Sequence, residues 1–277
     1  MKIALCNEVL RPLAFEQQCA LAAALGYDGL ELAPFTLADD PSRLDAARAR
    51  ALARIAADHG LAITGLHWLL VAPPGLSITS ADAGVRRRSA DWMCRLVELC
   101  AQMGGRVLVH GSPGQRRIPA GTAREVAQAR ALECFERAAQ AAEAARVVYC
   151  IEPLARAETE LVNTVAEAVR MVDAIGSPAL RTMIDCSAAA RTEAEGVPAL
   201  IERWWPTGKL AHVQANDPNR RGPGQGALAF GPILAALRRV GYDGVIAVEP
   251  FDYAPDGPQC AARAIGYLRG LMEAADG

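Results

Sequence analysis

An alternation constrains this chain more than any other feature. Short apolar runs of strand character alternate with longer Ala-, Leu- and Arg-rich segments of helical period from one end of the sequence to the other. The strand candidates are IALCNEV, GLELAPF, AITGLHWLL, RVLVHGS, VVYCIEPL, RTMIDCS, LAHVQAND and VIAVEPF, eight in all. Between them lie helix candidates such as FEQQCALAAALG, RRRSADWMCRLVELCAQMG and TVAEAVRMVDAIG. Several close on a glycine just past the last apolar position, where a C-cap belongs. A strand–helix unit repeated eight times predicts an α/β fold, a closed parallel (β/α)8 TIM barrel, in one domain over residues 1–277. The rival, an open doubly wound sheet, calls for a Gly-rich first turn, and CNEVLRPLAFE holds no G-x-G-x-x-G. LGYDGLELAPF near the start and VGYDGVIAVEPF near the end echo one another, each a helix end, a turn and a strand.

Composition narrows the class. With 277 residues, 52% of them hydrophobic, the chain can bury a large core. A formal net charge of −2 gives no broad footprint for nucleic acid. The eight cysteines are scattered without a C-x-x-C pair, which reads as reduced thiols in a cytoplasmic protein. MKIALCNEVL reads as a first strand and not as a signal peptide, and no apolar run approaches the roughly 20 residues of a membrane span. The expected partner is a small polyhydroxylated molecule, with a homo-oligomer left open.

The strands then end in an unusual way. VVYCIEPL closes on Glu152, RTMIDCS on Asp185 and VIAVEPF on Glu249, with Glu31 in GLELAPF nearly repeating the pattern. In a parallel barrel the C-terminal strand ends share one mouth, so these acids converge, joined from the seventh strand by His212, Gln214, Asn216 and Asp217. Crowded carboxylates repel one another in a partly dry mouth. A divalent cation neutralises them, and an oxygen-rich set suits Mn²⁺ or Mg²⁺, with Co²⁺ a further option. His67 and His110 end the third and fourth strands as candidate hydrogen-bonding walls. Trp68, Phe35 and Phe251 follow strand ends and offer an apolar wall for a substrate.

With those residues in place, the chain resembles the xylose-isomerase-like barrels of the sugar isomerase and epimerase superfamily. The resemblance is carried by CIEPLARAETELVNT, MIDCS, HVQANDPNRRGPGQG and GYDGVIAVEPF. It is nearest the ketose 3-epimerase and hydroxypyruvate-isomerase branches, with inosose dehydratases as cousins. It implies metal ligands at Glu152, Asp185, Gln214 and Glu249, and substrate contacts at Glu158 and Arg220, with His67, His110, Trp68 and His212 as further candidates. Two positions depart from the epimerase pattern. The strand-seven pair reads His212 and Gln214 where epimerases carry His-x-His, and Ala188 stands where they place a substrate-contacting His.

The implied activity is a metal-dependent isomerase or epimerase of a small sugar or polyhydroxy ketone. Its proton would pass between Glu152 and Glu249 through a metal-stabilised cis-enediolate. An inosose-type dehydratase is the alternative. An abasic-site DNA endonuclease is disfavoured by the charge and by the absence of His at positions 188 and 214. A non-catalytic barrel is disfavoured by the acids the chain keeps.

Overall fold

Each of the eight apolar runs forms a strand, and the strands close on themselves. The computed structural model describes residues 1–275. Its strands are β1 Lys2–Cys6, β2 Gly29–Leu32, β3 Ala62–Leu66, β4 Val107–His110, β5 Val148–Ile151, β6 Leu180–Asp185, β7 Leu210–Ala215 and β8 Val245–Val248. They pair in parallel, in chain order, and β8 returns to β1 with Lys2 opposite Val245. Around them run α1 Phe15–Leu25, α2 Ala46–Asp58, α3 Ala83–Gln102, α4 Arg124–Ala145, α5 Val165–Ile175, α6 Cys186–Thr192, α7 Val197–Trp204, α8 Phe230–Arg239 and α9 Gly257–Ala274. The glycines expected as C-caps after α1 and α5 are there: Gly26 and Gly176 take φ of 89° and 72°, a region costly for any other residue. Among the described residues no helix is long and apolar enough to cross a membrane.

Two apolar layers result. The large one, between strands and helices, holds Leu5, Leu30, Leu66, Ile151, Phe135 and Phe230. The small one is the barrel interior, where Val109, Cys150 and Met183 pack together from β4, β5 and β6. Alternation along a strand then decides what reaches the mouth. Two residues past Cys150 is Glu152 and two past Met183 is Asp185, so both point inward. His110, next to the inward Val109, points outward instead.

Two local features differ from the sequence expectation. The first strand stops at Cys6, and Asn7–Leu10 turn as a short 3-10 helix. The sixth strand leads straight into α6, whose N-cap is Asp185 itself, accepting from the Ala188 N–H at 2.6 Å. A strand-end acid that also caps a helix satisfies the donors of the next turn, a dual role that the run RTMIDCS alone does not betray.

Candidate active site

Glu152, Asp185 and Glu249 are buried at the C-terminal mouth, and each offers a carboxylate oxygen within 4.8 Å of the others. Space for this is built into the neighbouring strand end. A Cβ at Gly111, just past β4, would collide with the Glu152 carboxylate, so the glycine of VLVHGS makes room for the acid. Asp185 is held at both oxygens, Oδ1 by the Ala188 N–H and Oδ2 by the Asn216 amide at 2.6 Å. Asn216 is held in turn, its Oδ1 accepting from the Ser187 N–H at 2.8 Å.

Gln214, opposite Asp185 on β7, turns its amide nitrogen to Glu31 Oε1 at 2.9 Å, and its Oε1 is buried without a hydrogen-bond partner. Glu31 is fully buried and also meets His212 Nε2 at 2.8 Å. A second chain of contacts reaches Glu249: His67 Nδ1 lies 2.9 Å from Glu249 Oε1, and His67 Nε2 lies 3.0 Å from Glu8 Oε2. Glu249 Oε2 is left buried and unpartnered.

The ionisation of these acids follows their neighbours. Burial would raise the Glu31 carboxyl, but His212, His67 and the Gln214 amide hold it down at about 2. Burial and the charges of Glu249 and Asp185 push Glu152 well above the carboxylate range, against the pull of Arg116. Burial raises Asp185 to about 6 despite its hydrogen bonds from Ala188 and Asn216. Glu249 rises to about 8 through burial, although His67 opposes the shift. His67, whose own burial would lower it, is raised well above its ordinary value by Glu8 and Glu249. The three mouth acids therefore resist carrying charge together without a cation. Three crowded carboxylates, an amide oxygen with no donor and a free carboxylate oxygen form a cluster able to bind a metal ion.

A cleft beside the acids is lined by Trp68, Pro113, Glu152, Glu158, Glu249 and Phe251, among others. Trp68 and Phe251 meet edge to face, with ring centroids 5.9 Å apart. Glu158 accepts from the Ala155 N–H at 3.0 Å and lies 3.7 Å from Arg191. Arg220 is exposed with its guanidinium over the Phe251 ring at 5.2 Å, while its carbonyl accepts from the N–H groups of Phe251 and Asp252.

Several expected contacts fall elsewhere. His110 does not reach the cleft: it packs edge-on to Phe135 of α4, its Nδ1 is 2.7 Å from the Tyr149 hydroxyl, and burial with Arg116 nearby lowers its pKa to about 3. His212 lies one layer below Gln214, bonded to Glu31, and lines a cavity with Ile63, Val107 and Val245 instead of the cleft. His67 orients Glu249 and is absent from the cleft wall. Phe35 lies under Arg11 in a neighbouring hollow with Glu8 and Tyr253. Arg221, next to Arg220, is tied to Asp252 at 3.0 Å, and Asp217 organises its own loop by accepting from the Leu228 N–H at 2.7 Å.

Sequence reasoning passed over Glu8 and Arg116. Glu8 carries the signal that found the others, a polar residue just past a strand end; nothing in HGSPGQRR sets Arg116 apart from Arg117.

The model of the xylose isomerase-like TIM barrel matches residues 19–271. The chain belongs to this family. A D-psicose 3-epimerase of Agrobacterium fabrum is 28% identical over 234 residues, covering 83% of this chain and 76% of the relative. An L-ribulose 3-epimerase of Mesorhizobium japonicum is 27% identical over 240 residues, covering 85% and 75%. The crystal structure of a D-psicose 3-epimerase in the presence of D-fructose superposes with a TM-score of 0.82 at 22% identity, covering 98% of this chain and 99% of the other. This family member is thus a barrel of the sugar epimerase and isomerase kind, at low identity to its relatives, with a buried acidic cluster at its own C-terminal mouth.

Proposed function

We propose that the protein is a divalent-metal-dependent epimerase or isomerase of a small polyhydroxylated carbonyl compound. The observation that carries this reading is the crowding of Glu152, Asp185 and Glu249 within 4.8 Å beside the unpartnered Gln214 Oε1. These four residues would hold one cation, Mn²⁺ or Mg²⁺ by the hardness of oxygen donors, with Co²⁺ tolerated. Bound there, it supplies Lewis-acid charge that makes a C–H beside a carbonyl more acidic.

The proton itself is the work of the two glutamates. Glu249 has one oxygen fixed by His67, so the other faces the cleft at a set angle. Glu152 lies across the site, its carboxylate pressed against Gly111. One takes the proton, and the other returns one to the opposite face of the same carbon, or to its neighbour. Groups positioned like this contribute about 10²–10⁴ in rate each. Trp68 and Phe251 close the cleft against water, and Glu158 and Arg220 stand at its rim to meet hydroxyls.

The test is proton exchange. Ketopentoses, ketohexoses and their carboxylate-bearing counterparts are incubated with Mn²⁺-loaded protein in D₂O and followed by NMR. Uptake of deuterium at the carbon next to the carbonyl is expected for at least one member. No uptake from any of them, with metal bound, would sink the reading.

A further inference from the structure

Polar atoms without partners occur on two sides of the cleft, and they are of opposite kinds. On the β7 and β8 side they are acceptors, Gln214 Oε1 and Glu249 Oε2, suited to a cation. On the β4 side they are donors. Arg116, in the turn after β4, is fully buried, and its Nε, Nη1 and Nη2 have no hydrogen-bond partner or ion pair among the described residues. No other arginine among the described residues is buried.

A guanidinium sealed from water with nothing to bond is costly, and proteins seldom keep one without use. Burial lowers Arg116 only to about 10, with Glu152 and Glu158 opposing the shift, so it stays charged at neutral pH. Both of those acids line the cleft, as do Gly111, Ser112 and Pro113 from the turn that carries Arg116. Neither acid is close enough to pair with it. Glu158 is turned to the Ala155 N–H and Arg191. Glu152 belongs to the metal cluster. The guanidinium is not itself part of the cleft wall, but it is an unpaired cation within electrostatic reach of both cleft acids, at the end of the turn whose first residues line the cleft.

We propose that the substrate carries a carboxylate, which Arg116 receives on the β4 side while the carbonyl end faces Glu152, Asp185, Gln214 and Glu249. This rests on the function read above and names its substrate class. A planar five-donor fork matches the two oxygens of a carboxylate. A neutral hydroxyl would accept a single N–H and leave the charge unanswered. A phosphate dianion would want more cation than the wall supplies: Arg191 lies beside Glu158, Arg117 and Arg220 are exposed, and the Glu158 charge would repel it.

Binding of unreactive probes tests this apart from turnover. The Mn²⁺-loaded wild type, Arg116→Met and Arg116→Lys are titrated calorimetrically with D-ribonate, ribitol and ribitol 5-phosphate. The wild type is expected to bind ribonate about tenfold to a hundredfold tighter than ribitol, the worth of a charged hydrogen-bonded pair. In Arg116→Met the gap closes through weaker ribonate binding, and Arg116→Lys keeps part of it. A purely structural arginine would change the melting temperature of both variants and leave the ranking of probes intact, which overturns the proposal. So does equal binding of ribonate and ribitol by the wild type. A gap that survives in Arg116→Met traces to the metal and overturns it too, as does tighter binding of the phosphate. Should Arg116→Met not fold, the wild-type ranking and Arg116→Lys decide. A ribonate gap that depends on Arg116, in a protein that exchanges no deuterium, would retire the epimerase reading and leave this assignment standing.

Discussion

On the β1–β3 side of the mouth, Glu8 and Glu31 face imidazoles, His67 at 3.0 Å and His212 at 2.8 Å. On the β5–β8 side, Glu152, Asp185 and Glu249 crowd one another, and only Glu249 touches an imidazole. Both groups are buried and both sit at strand ends, yet one is balanced within the protein and the other calls for a charge from outside. The balanced side also aims the unbalanced one: Glu31 holds the Gln214 amide, and His67 holds Glu249. Burial alone therefore does not distinguish the two groups of acids; the presence or absence of an answering base does.

The largest effect should come from the unbalanced side. Glu152→Gln and Glu249→Gln are each expected to cut turnover by about 10²–10⁴-fold, with the circular dichroism of the fold unchanged. In the metal-free protein Glu152→Gln should leave stability equal or higher, because a buried acid crowded by Glu249 and Asp185 becomes a neutral amide, whereas Glu249→Gln weakens the pair with His67 and should lower it. Near-normal turnover in either variant, metal still bound, would move the proton transfer to other residues.

On the balanced side the loss should appear in folding. Glu31→Ala strands His212 and the Gln214 amide without their acceptor. Removing one partner of a buried pair costs about 3–5 kcal/mol, read as a lower urea midpoint. A change below about 1 kcal/mol would mean that Glu31 is not the anchor described here.

The two sides should also answer pH in opposite directions. Asp185 and Glu249 are raised from 3.8 and 4.5 to about 6 and about 8, so their contribution is full below the ordinary values and is lost as pH rises through the raised ones. Glu31, lowered to about 2, contributes above its ordinary value and loses that contribution only as pH falls toward 2. Protein stripped with EDTA should thus melt at falling temperature as pH climbs from about 4 to about 8, with a shift the size of that at Asp185, lost between about pH 4 and 6, worth about 3 kcal/mol. Added Mn²⁺ should restore most at the upper end, where the carboxylates are free to ionise. A flat or rising melting curve in EDTA would break the contrast between the two sides.

How far the sequence disclosed this depends on which physical signal each residue carries. The barrel was legible because eight apolar runs with helices between them leave few other closed arrangements. Glu152 and Glu249 stood out because a Glu-Pro pair ending an apolar run is conspicuous. The side chain direction was not legible at His110 and His212. His110 is one residue out of phase with the inward Val109, and His212 is two short of Gln214, so a slip in strand ends moves each to a different layer. Partners brought together by closure were also hidden: Glu31 and Gln214 are 183 residues apart and meet across the barrel.

Gln214 offers the smallest and sharpest test of how the sides cooperate. Its amide nitrogen donates to neither Asp185 nor Glu249 but to Glu31, a carboxylate held ionised by His212. Gln214→His would place an imidazole where one nitrogen can face the acid cluster and the other can donate to Glu31, the arrangement that steadies a metal-ligating histidine. Imidazole raises affinity for Co²⁺ and Zn²⁺ over Mg²⁺ and Mn²⁺. The variant should therefore keep its metal and shift that preference, by about tenfold for a single altered ligand. Gln214→Leu removes the neutral donor and leaves Glu31 to His212 and the Cys6 thiol, so Mn²⁺ affinity should fall by about 10–100-fold while Glu31 remains paired. Titration of both variants with the four metals reads the outcome. If Gln214→Leu binds Mn²⁺ as tightly as the parent, the amide oxygen is no ligand, and Glu31 serves only to tie β2 to β7.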